Sequence, residues 1–313
     1  MKRRQRFITE RQYKNTLAYF AEEESYWQNH AMEADSPEQE NALKARRIQR
    51  STLAALVIQY TAGEAIDSLR PQLEKVITSY EHYQSTLAAY ENIANISPLN
   101  IEDYPHQFEE FVQIVSLCIL LHRNDLLSRF VRLFDQAGYA GEDTLYEDLL
   151  RPCLPERYDV DEWYHAVYTP LIRAIYSETK SEASQLLKQY CNEWYPAFEQ
   201  APWHDSHLDG EEGSYFGYWA FEAAAVAFLY GIDDREVDHM VYPRDLVEYA
   251  KNYKEQSGGL VGRIESGKPS SRSGYWFTPA QTGSRRYFNQ GDIMPCFSGS
   301  NWGDTLWYWS GEK

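Results

Sequence analysis

The feature that most constrains the fold is a succession of helical segments over the first 257 residues. Apolar residues recur there at the 3.6-residue spacing of amphipathic helices, and several segments begin at a capping residue or a proline. Thr9 and Ser36 are suited to be N-caps, and Gly63 is suited to end a helix. The sequence therefore predicts an all-α protein, a multi-helix bundle built from antiparallel helical hairpins.

The sequence also predicts the positions of three further helices. Pro71 is predicted in the first turn of the third helix, where its missing N–H costs nothing. Helices are also predicted over residues 160–176 and over residues 215–230. The helix over residues 215–230 is very rich in alanine, so we expect the backbone of a neighbouring helix to approach it closely.

The pattern changes after Gly258 and Gly259. Residues 258–313 combine Gly and Ser with scattered Trp, Tyr and Phe, and the helical period is lost. We expect a short irregular or β-like C-terminal appendage. The chain thus divides into an N-terminal helical hairpin region (1–100), an acidic helical domain (101–257) and an aromatic, Gly/Ser-rich tail (258–313).

The charge of the chain is strongly negative and unevenly distributed. The formal net charge is −17, whereas residues 51–260 alone carry −21, and residues 1–50 and 261–313 carry +2 each. A nucleic-acid-binding protein presents a basic surface, so direct nucleic-acid binding is not expected. Anionic membranes are equally poor partners. The charge favours a protein partner with a basic face.

Cysteine usage and the start of the chain indicate the compartment. The four cysteines are widely spaced and form no C-x-x-C motif, which is typical of free thiols in a reducing environment. The basic start MKRRQRF is not followed by an apolar stretch, so we expect no secretory signal. The expected location is the cytoplasm. The oligomeric state is left open, with a homodimer among the options.

One cluster allows an enzymatic alternative. His204, Asp205 and His207, together with Asp233, resemble the ligands of a helical metal-dependent hydrolase. The two histidines lie in a Gly/Asp-rich loop instead of on a rigid helix, which favours a solvated or interacting loop. The sequence has no nucleophile elbow, no Walker motif and no dinucleotide fingerprint. We therefore expect neither an enzyme nor a cofactor.

Glu222 lies inside the apolar run WAFEAAAVAFLY. A carboxylate in such a helix is costly to bury without a partner. One interpretation is a general acid or base with a raised pKa. The favoured interpretation is a carboxylate that is hydrogen-bonded to a Tyr, Trp or Arg of a neighbouring helix.

Three clusters of acidic residues are candidates for a docking surface. The first lies at 142–148, the second at 205–212 and the third at 233–238. Charged runs are usually no more than solvated faces, but an acidic surface can also steer a basic partner and raise its association rate. A DNA mimic or scaffold that binds some other basic protein is a further alternative.

The string YFGYWAFEAAAVAFLYGIDD at 215–234, followed by YPRDLVEYAK at 242–251, resembles the C-terminal domain of the PoNe-immunity (PoNi-like) proteins of polymorphic-toxin systems. The resemblance implies an all-helical, non-enzymatic inhibitor of an antibacterial DNase toxin. Such toxins are delivered by a contact-dependent secretion system such as type VI. The tail at 258–313 departs from the shorter family pattern, and this leaves open which toxin subtype is recognised.

The resemblance and the charge together predict how this inhibitor acts. A DNase must offer a cationic cleft to DNA phosphates, and an acidic helical face can occupy that cleft. The loop 203–212 and the turn 233–238 combine many carboxylates with nearby aromatic residues. The predicted toxin contacts are Trp203, Asp205, Asp209, Glu211, Glu212, Tyr215, Asp233, Asp234, Glu236 and Asp238.

Overall fold

The structure is a computed structural model, and its described residues form ten α-helices and four short β-strands. An all-α bundle with a small β appendage is what the sequence predicts, and this prediction is confirmed. At Gln28, Glu212 and Arg263 only the backbone is described. The structure describes residues 2–253, 263–278, 280–281, 283–297 and 305–310.

The helices follow one another through most of the chain. Short 3-10 turns lie at Ala166–Tyr168, Ser206–Leu208 and Gly210–Glu212. The α-helices run over Glu10–Asn29 (α1), Pro37–Ala62 (α2), Ile66–Glu91 (α3), Pro105–Leu120 (α4), Asn124–Asp135 (α5), Thr144–Leu150 (α6), Thr169–Ile175 (α7), Lys180–Ala197 (α8), Phe221–Tyr230 (α9) and Arg244–Asn252 (α10).

The predicted helix ends near the N-terminus are confirmed. The Thr9 hydroxyl accepts a hydrogen bond from the Gln12 N–H, and the Ser36 hydroxyl accepts one from the Gln39 N–H, each at 3.1 Å. Gly63 ends α2 in the left-handed region, with φ of 94°. This turn lets α2 and α3 pack side by side as an antiparallel hairpin.

The third helix begins earlier than predicted. It starts at Ile66, so Pro71 lies inside α3 instead of in its first turn. The reason is an apolar face that begins before the proline, because Leu69 is already fully buried. The proline lacks the N–H that would donate to the Asp67 carbonyl, so α3 gives up one backbone hydrogen bond in its second turn.

The prediction of a helix over 160–176 is also wrong for residues 160–165. Thr144 donates its N–H to the Glu162 carbonyl at 2.9 Å and its hydroxyl to the Val160 carbonyl at 3.0 Å. The Tyr164 N–H donates to Asp143 at 2.9 Å. The backbone of this segment therefore bonds to the start of α6, and its own helix forms only from Ala166 onwards.

The helix predicted over 215–230 begins only at Phe221. Residues 214–220 form an extended segment that is held by the N-terminal strap, residues 3–8. The Gln5 side chain accepts the Tyr218 N–H at 2.9 Å and donates to the Tyr218 carbonyl at 2.6 Å. Its amide also donates to the Met240 carbonyl at 2.9 Å. Because these peptide groups bond to Gln5, they do not form the backbone hydrogen bonds of a helix.

One hydrophobic core extends from Ile8 to Ala250. At its centre the alanine-rich α9 packs against α4, and both helices are buried on most of their residues. Small side chains on α9 allow this close approach, as the sequence predicts. Among the described residues, no helix combines the length and the apolar character that a bilayer crossing requires. The division of the chain at residue 100 stays a prediction.

The β appendage is a four-stranded antiparallel sheet with the strand order β1-β4-β2-β3. It has its own small core of Trp276, Phe288, Met294 and Trp307. The glycine-bearing stretch SGGLVG at 257–262 predicts a hinge, and it lies outside the described residues. The strands are Arg263–Glu265 (β1), Gly274–Phe277 (β2), Arg286–Phe288 (β3) and Leu306–Trp309 (β4).

Candidate functional site

The loop 202–213 presents carboxylates to solvent on a supported backbone. Asp205 and Asp209 are exposed, and the Glu211 side chain is 43% exposed. Asp205 adopts φ of 59°, a left-handed conformation that Asp tolerates better than most residues. The Tyr195 hydroxyl donates to its carboxylate at 2.7 Å, and the Asp205 N–H donates back to that hydroxyl at 3.1 Å. The loop is therefore fixed to α8.

Glu211 also links this loop to the start of α1. The Thr9 hydroxyl donates to its carboxylate at 3.0 Å, and Arg11 lies 3.5 Å away. Both groups are surface groups, so the contacts orient Glu211 without neutralising the loop. The side chain of Glu212 lies outside the described part of the chain.

The two histidines of the loop take part in aromatic packing. His204 stacks on Tyr195 at 4.2 Å between ring centroids, and His207 lies 4.4 Å from the Phe7 ring. His207 Nδ1 shares a hydrogen bond of 2.9 Å with the Tyr218 hydroxyl. These contacts give the histidines a structural role in the loop.

The proposed metal ligands do not come together. In the part of the chain that the structure describes, no group of three or more His, Cys, Asp or Glu residues could hold a metal ion. His204 and Asp205 lie 3.6 Å apart, but Asp233 pairs instead with Arg235, at 2.5 Å. The geometry therefore lends no support to the metal-dependent hydrolase.

The two aromatic residues predicted at the contact are not equally accessible. Trp203 is half-buried and stacks on Trp194, with 5.1 Å between ring centroids and 12° between planes. Tyr215 is 1% exposed, and its hydroxyl donates to the Gln5 side chain. Tyr215 is thus an interior residue that holds the N-terminal strap, and it cannot contact a partner in this conformation.

The turn 233–238 mixes exposed and buried carboxylates. Glu236 and Asp238 are exposed. Asp233 bonds to the Arg235 side chain, and this hydrogen bond lowers the pKa of Asp233 to about 2. Asp234 is 7% exposed and accepts from the Tyr242 hydroxyl at 2.9 Å. Asp234 therefore holds the turn together and lies too deep for the contact predicted from the sequence.

The acidic cluster at 142–148 is mostly interior, which removes it as a docking surface. Glu147 pairs with Arg157 at 2.8 Å, and Arg157 also binds Asp135 at 2.8 Å. Asp143 caps α6 by accepting the Tyr146 N–H at 2.8 Å, and Asp148 is fully buried. The burial of this cluster could not be predicted from its own residues, because its partners Arg157 and Asp135 lie outside it in the sequence.

Glu222 is a buried carboxylate that is bonded across helices, in agreement with the favoured interpretation. The Tyr190 hydroxyl of α8 donates to its Oε1 at 2.6 Å, while Oε2 has no partner among the described residues. Burial raises the pKa of Glu222 to about 7.

A second buried carboxylate, Glu109 of α4, is not among the residues singled out from the sequence. Trp203 Nε1 donates to it at 3.3 Å, and its side chain is nearly inaccessible. Burial, followed by the charges of Glu222 and Glu110, raises the pKa of Glu109 well above its usual value. The signal was present in the string FEEF, in which two acids interrupt an apolar helix just as Glu222 does.

Replacing Glu222 by glutamine is expected to raise the free energy of unfolding at pH 8 by as much as about 3 kcal/mol. The folded carboxyl titrates near 7 and the unfolded one near 4.5, so the unsubstituted chain loses stability as the pH rises through that interval. Glutamine keeps an acceptor for Tyr190 and carries no charge. Urea unfolding at pH 5 and pH 8 measures the difference.

The gain should shrink to about 1 kcal/mol or less at pH 5, where the folded carboxyl is protonated and its unfolded counterpart is only partly ionised. Glu193→Gln on the exposed face of α8 is the control and should change neither value. An equal gain at both pH values would show that the charge of Glu222 is not its cause.

Comparison with known families identifies the segment that carries both acidic surfaces. Residues 141–246 match a family described as PoNe immunity proteins (PoNi), C-terminal. This part of the chain is similar to the PoNi family. The PoNi segment includes α6 to α9, the loop 202–213 and the turn 233–238. The family resemblance drawn from the sequence is therefore confirmed over this segment.

A structural comparison extends the likeness beyond the PoNi segment. The crystal structure of protein PA2201 from Pseudomonas aeruginosa matches with a TM-score of 0.62 and 22% sequence identity. The match covers 80% of this chain and 92% of that chain. At this identity it shows a shared fold alone. No curated protein sequence matches the chain.

Proposed function

We propose that this chain is an immunity protein that neutralises a cognate antibacterial DNase toxin of a contact-dependent (type VI) secretion system. The observation that carries the proposal is the PoNi match over residues 141–246, the segment that holds the exposed carboxylates. The protein acts by binding, without catalysis, and it occludes the active site or the DNA channel of the toxin.

The physical argument rests on charge complementarity. A DNase attracts DNA phosphates with a basic cleft, and a partner that carries carboxylates at similar density can occupy the same cleft. Residues 51–260 carry a net charge of −21. Such a field raises the rate of encounter with a basic protein, while packed aromatic residues supply the lifetime of the complex.

The proposed contact surface is narrower than the set predicted from the sequence. It keeps Asp205, Asp209 and Glu211 on the loop, and Glu236 and Asp238 on the turn, because these are exposed. The interior residues Tyr215 and Asp234 support the surface from below. Asp233 is engaged by Arg235, so it is available only if that exposed pair opens.

The target defines the compartment. A DNase toxin acts on cytoplasmic DNA, so we place this inhibitor in the cytoplasm. One immunity molecule is proposed to block one toxin molecule. The described part of the tail forms a small sheet with its own core.

The test is a titration of DNA cleavage by the nuclease encoded beside this chain. Cleavage should fall in proportion to added immunity protein and reach its minimum at one equivalent. Full protection at a small fraction of one equivalent would indicate catalysis and contradict the proposal. An unrelated DNase serves as the control: equal inhibition of both enzymes would identify a general DNA mimic instead of a cognate inhibitor.

A further inference from the structure

A partly open cavity of about 220 Å³ lies beneath the loop 202–213. Helix α4 contributes Glu109 and Glu110 to its lining, α2 contributes Arg50, and the stacked Trp194 and Trp203 form one wall. The extended segment 214–217 closes another side. The cavity therefore lies directly below the proposed contact surface.

The cavity wall carries buried carboxyl groups that form no ion pair with a basic side chain among the described residues. Glu109 and Glu110 are held by hydrogen bonds: Trp203 Nε1 donates to the first at 3.3 Å, and Gln49 donates to the second at 3.1 Å. Glu222 of α9 lies behind them and repels Glu109. Among the described residues no Lys or Arg forms an ion pair with any of these three acids. Burial without a counter-charge favours the protonated form of these groups, and a cation that enters the pocket would favour their ionised form.

The remaining lining suits an organic cation. A Trp face attracts an ammonium or guanidinium group, and the half-buried Trp203, which stacks on the buried Trp194, offers an apolar surface for an alkyl stem. The buried Trp194 indole N–H lies close to Glu222 and favours its ionised form, so Trp194 links the pocket wall to this third carboxylate.

We propose that this acidic–aromatic pocket receives one arginine or lysine side chain of the toxin. The proposal rests on the proposed function, which supplies a partner whose DNA-binding surface is rich in such side chains. The cationic head pairs with Glu109 and Glu110, and its stem lies against the indoles. A single anchored side chain under a charged rim is the arrangement in which one residue dominates binding.

Arg50 allows a second test of the proposal, because it places a positive charge of the chain itself at the pocket. It is exposed on α2 and lowers the pKa of Glu110, although burial dominates there and raises that pKa overall. An incoming cation is repelled by Arg50. Removing the guanidinium should therefore tighten toxin binding, whereas removing the carboxylate of Glu109 should weaken it.

Occupation of the pocket should also release a proton. The groups that face Glu109 are Glu110 and His106 on α4, Glu222 on α9 and Arg50 on α2, together with the buried tyrosines Tyr80 and Tyr168. Burial lowers the pKa of His106, so it does not supply a competing charge at neutral pH. Since a bound cation favours the ionised form of Glu109, affinity should rise with pH. Calorimetry in two buffers of different ionisation enthalpy counts the released proton.

The first experiment measures toxin affinity by calorimetry for three variants. Glu109→Gln should weaken binding by about 30-fold or more, since truncating one partner of a buried charge pair is costly. Arg50→Ala should strengthen it several-fold, and Glu193→Gln on the exposed face of α8 should leave it unchanged. If Glu109→Gln fails to fold by circular dichroism, the exposed Arg50→Ala variant decides the question.

The second experiment uses agmatine, a guanidinium on a short alkyl chain, and needs no toxin. Millimolar agmatine should shift the indole N–H signals of Trp194 and Trp203 in the unsubstituted chain, and not in Glu109→Gln. If the toxin binds all variants equally, the pocket proposal is overturned and the proposed function stands. If the chain binds no toxin but binds agmatine, the proposed function fails and the pocket takes free cations instead of a partner's side chain.

Discussion

Replacing Gly217 by alanine is expected to lower the free energy of unfolding by about 3 kcal/mol or more. Gly217 adopts φ of 132°, a conformation that side chains rarely adopt. A Cβ there would overlap the Thr61 hydroxyl and stand 2.5 Å from Trp219 Nε1. These two groups already share a hydrogen bond of 2.8 Å in the interior. The methyl group therefore adds a steric clash to the cost of the backbone conformation.

The midpoint of urea unfolding measures this loss, and a second glycine separates its two causes. Gly138 also has a positive φ, of 101°, but a Cβ there would meet nothing within 4 Å. Gly138→Ala should lose only the conformational part, about 1 kcal/mol. Equal losses in the two variants would show that contact with Thr61 and Trp219 does not constrain the segment.

This glycine matters because it lies where two distant parts of the chain meet. Gln5 bonds to the backbone of Tyr218, and Thr61 of α2 accepts the Trp219 indole N–H. The segment 214–220 is thus held extended by residues that lie more than 150 positions away in the chain. Its position in turn fixes the loop 202–213, so damage at Gly217 should also disturb the proposed contact surface.

The same long-range bonds explain which parts of the fold the sequence could predict. Local signals sufficed for the caps at Thr9 and Ser36 and for the turn at Gly63, because each acts within four residues. They failed at 160–165 and 214–220, where the backbone bonds to Thr144 and to Gln5 instead of to itself. Periodicity alone cannot register such partners.

The candidate site, like the fold, could be predicted only in part from the sequence. The density of carboxylates located the loop and the turn, but it could not distinguish a solvated acid from one that holds the fold together. Asp234 bonds to Tyr242, and Glu147 to Arg157, and only the packing shows this. Glu109 was overlooked because its significance depends on a cavity that five separate segments enclose.

The largest functional effect is expected from reversing charge on the loop. Asp209→Lys together with Glu211→Lys should slow association with the toxin by about 10-fold to 1,000-fold at low salt. Both side chains are exposed, and the surface contacts of Glu211 with Thr9 and Arg11 contribute little to stability. The unfolding midpoint should therefore stay close to that of the unsubstituted chain, and stopped-flow kinetics at several salt concentrations measures the rate.

A matched pair on the turn decides which acidic surface meets the toxin. Glu236→Lys with Asp238→Lys makes the same change in net charge on two exposed residues. If the loop is the contact, its variant should slow association more and also raise the dissociation rate, while the turn variant changes only the long-range attraction. Added salt should erase the effect of the turn variant, because a Debye length of about 10 Å at 0.1 M screens distant charges. Identical rate changes in both variants at every salt concentration would mean that the toxin responds to total charge alone, and neither surface would then be its docking site.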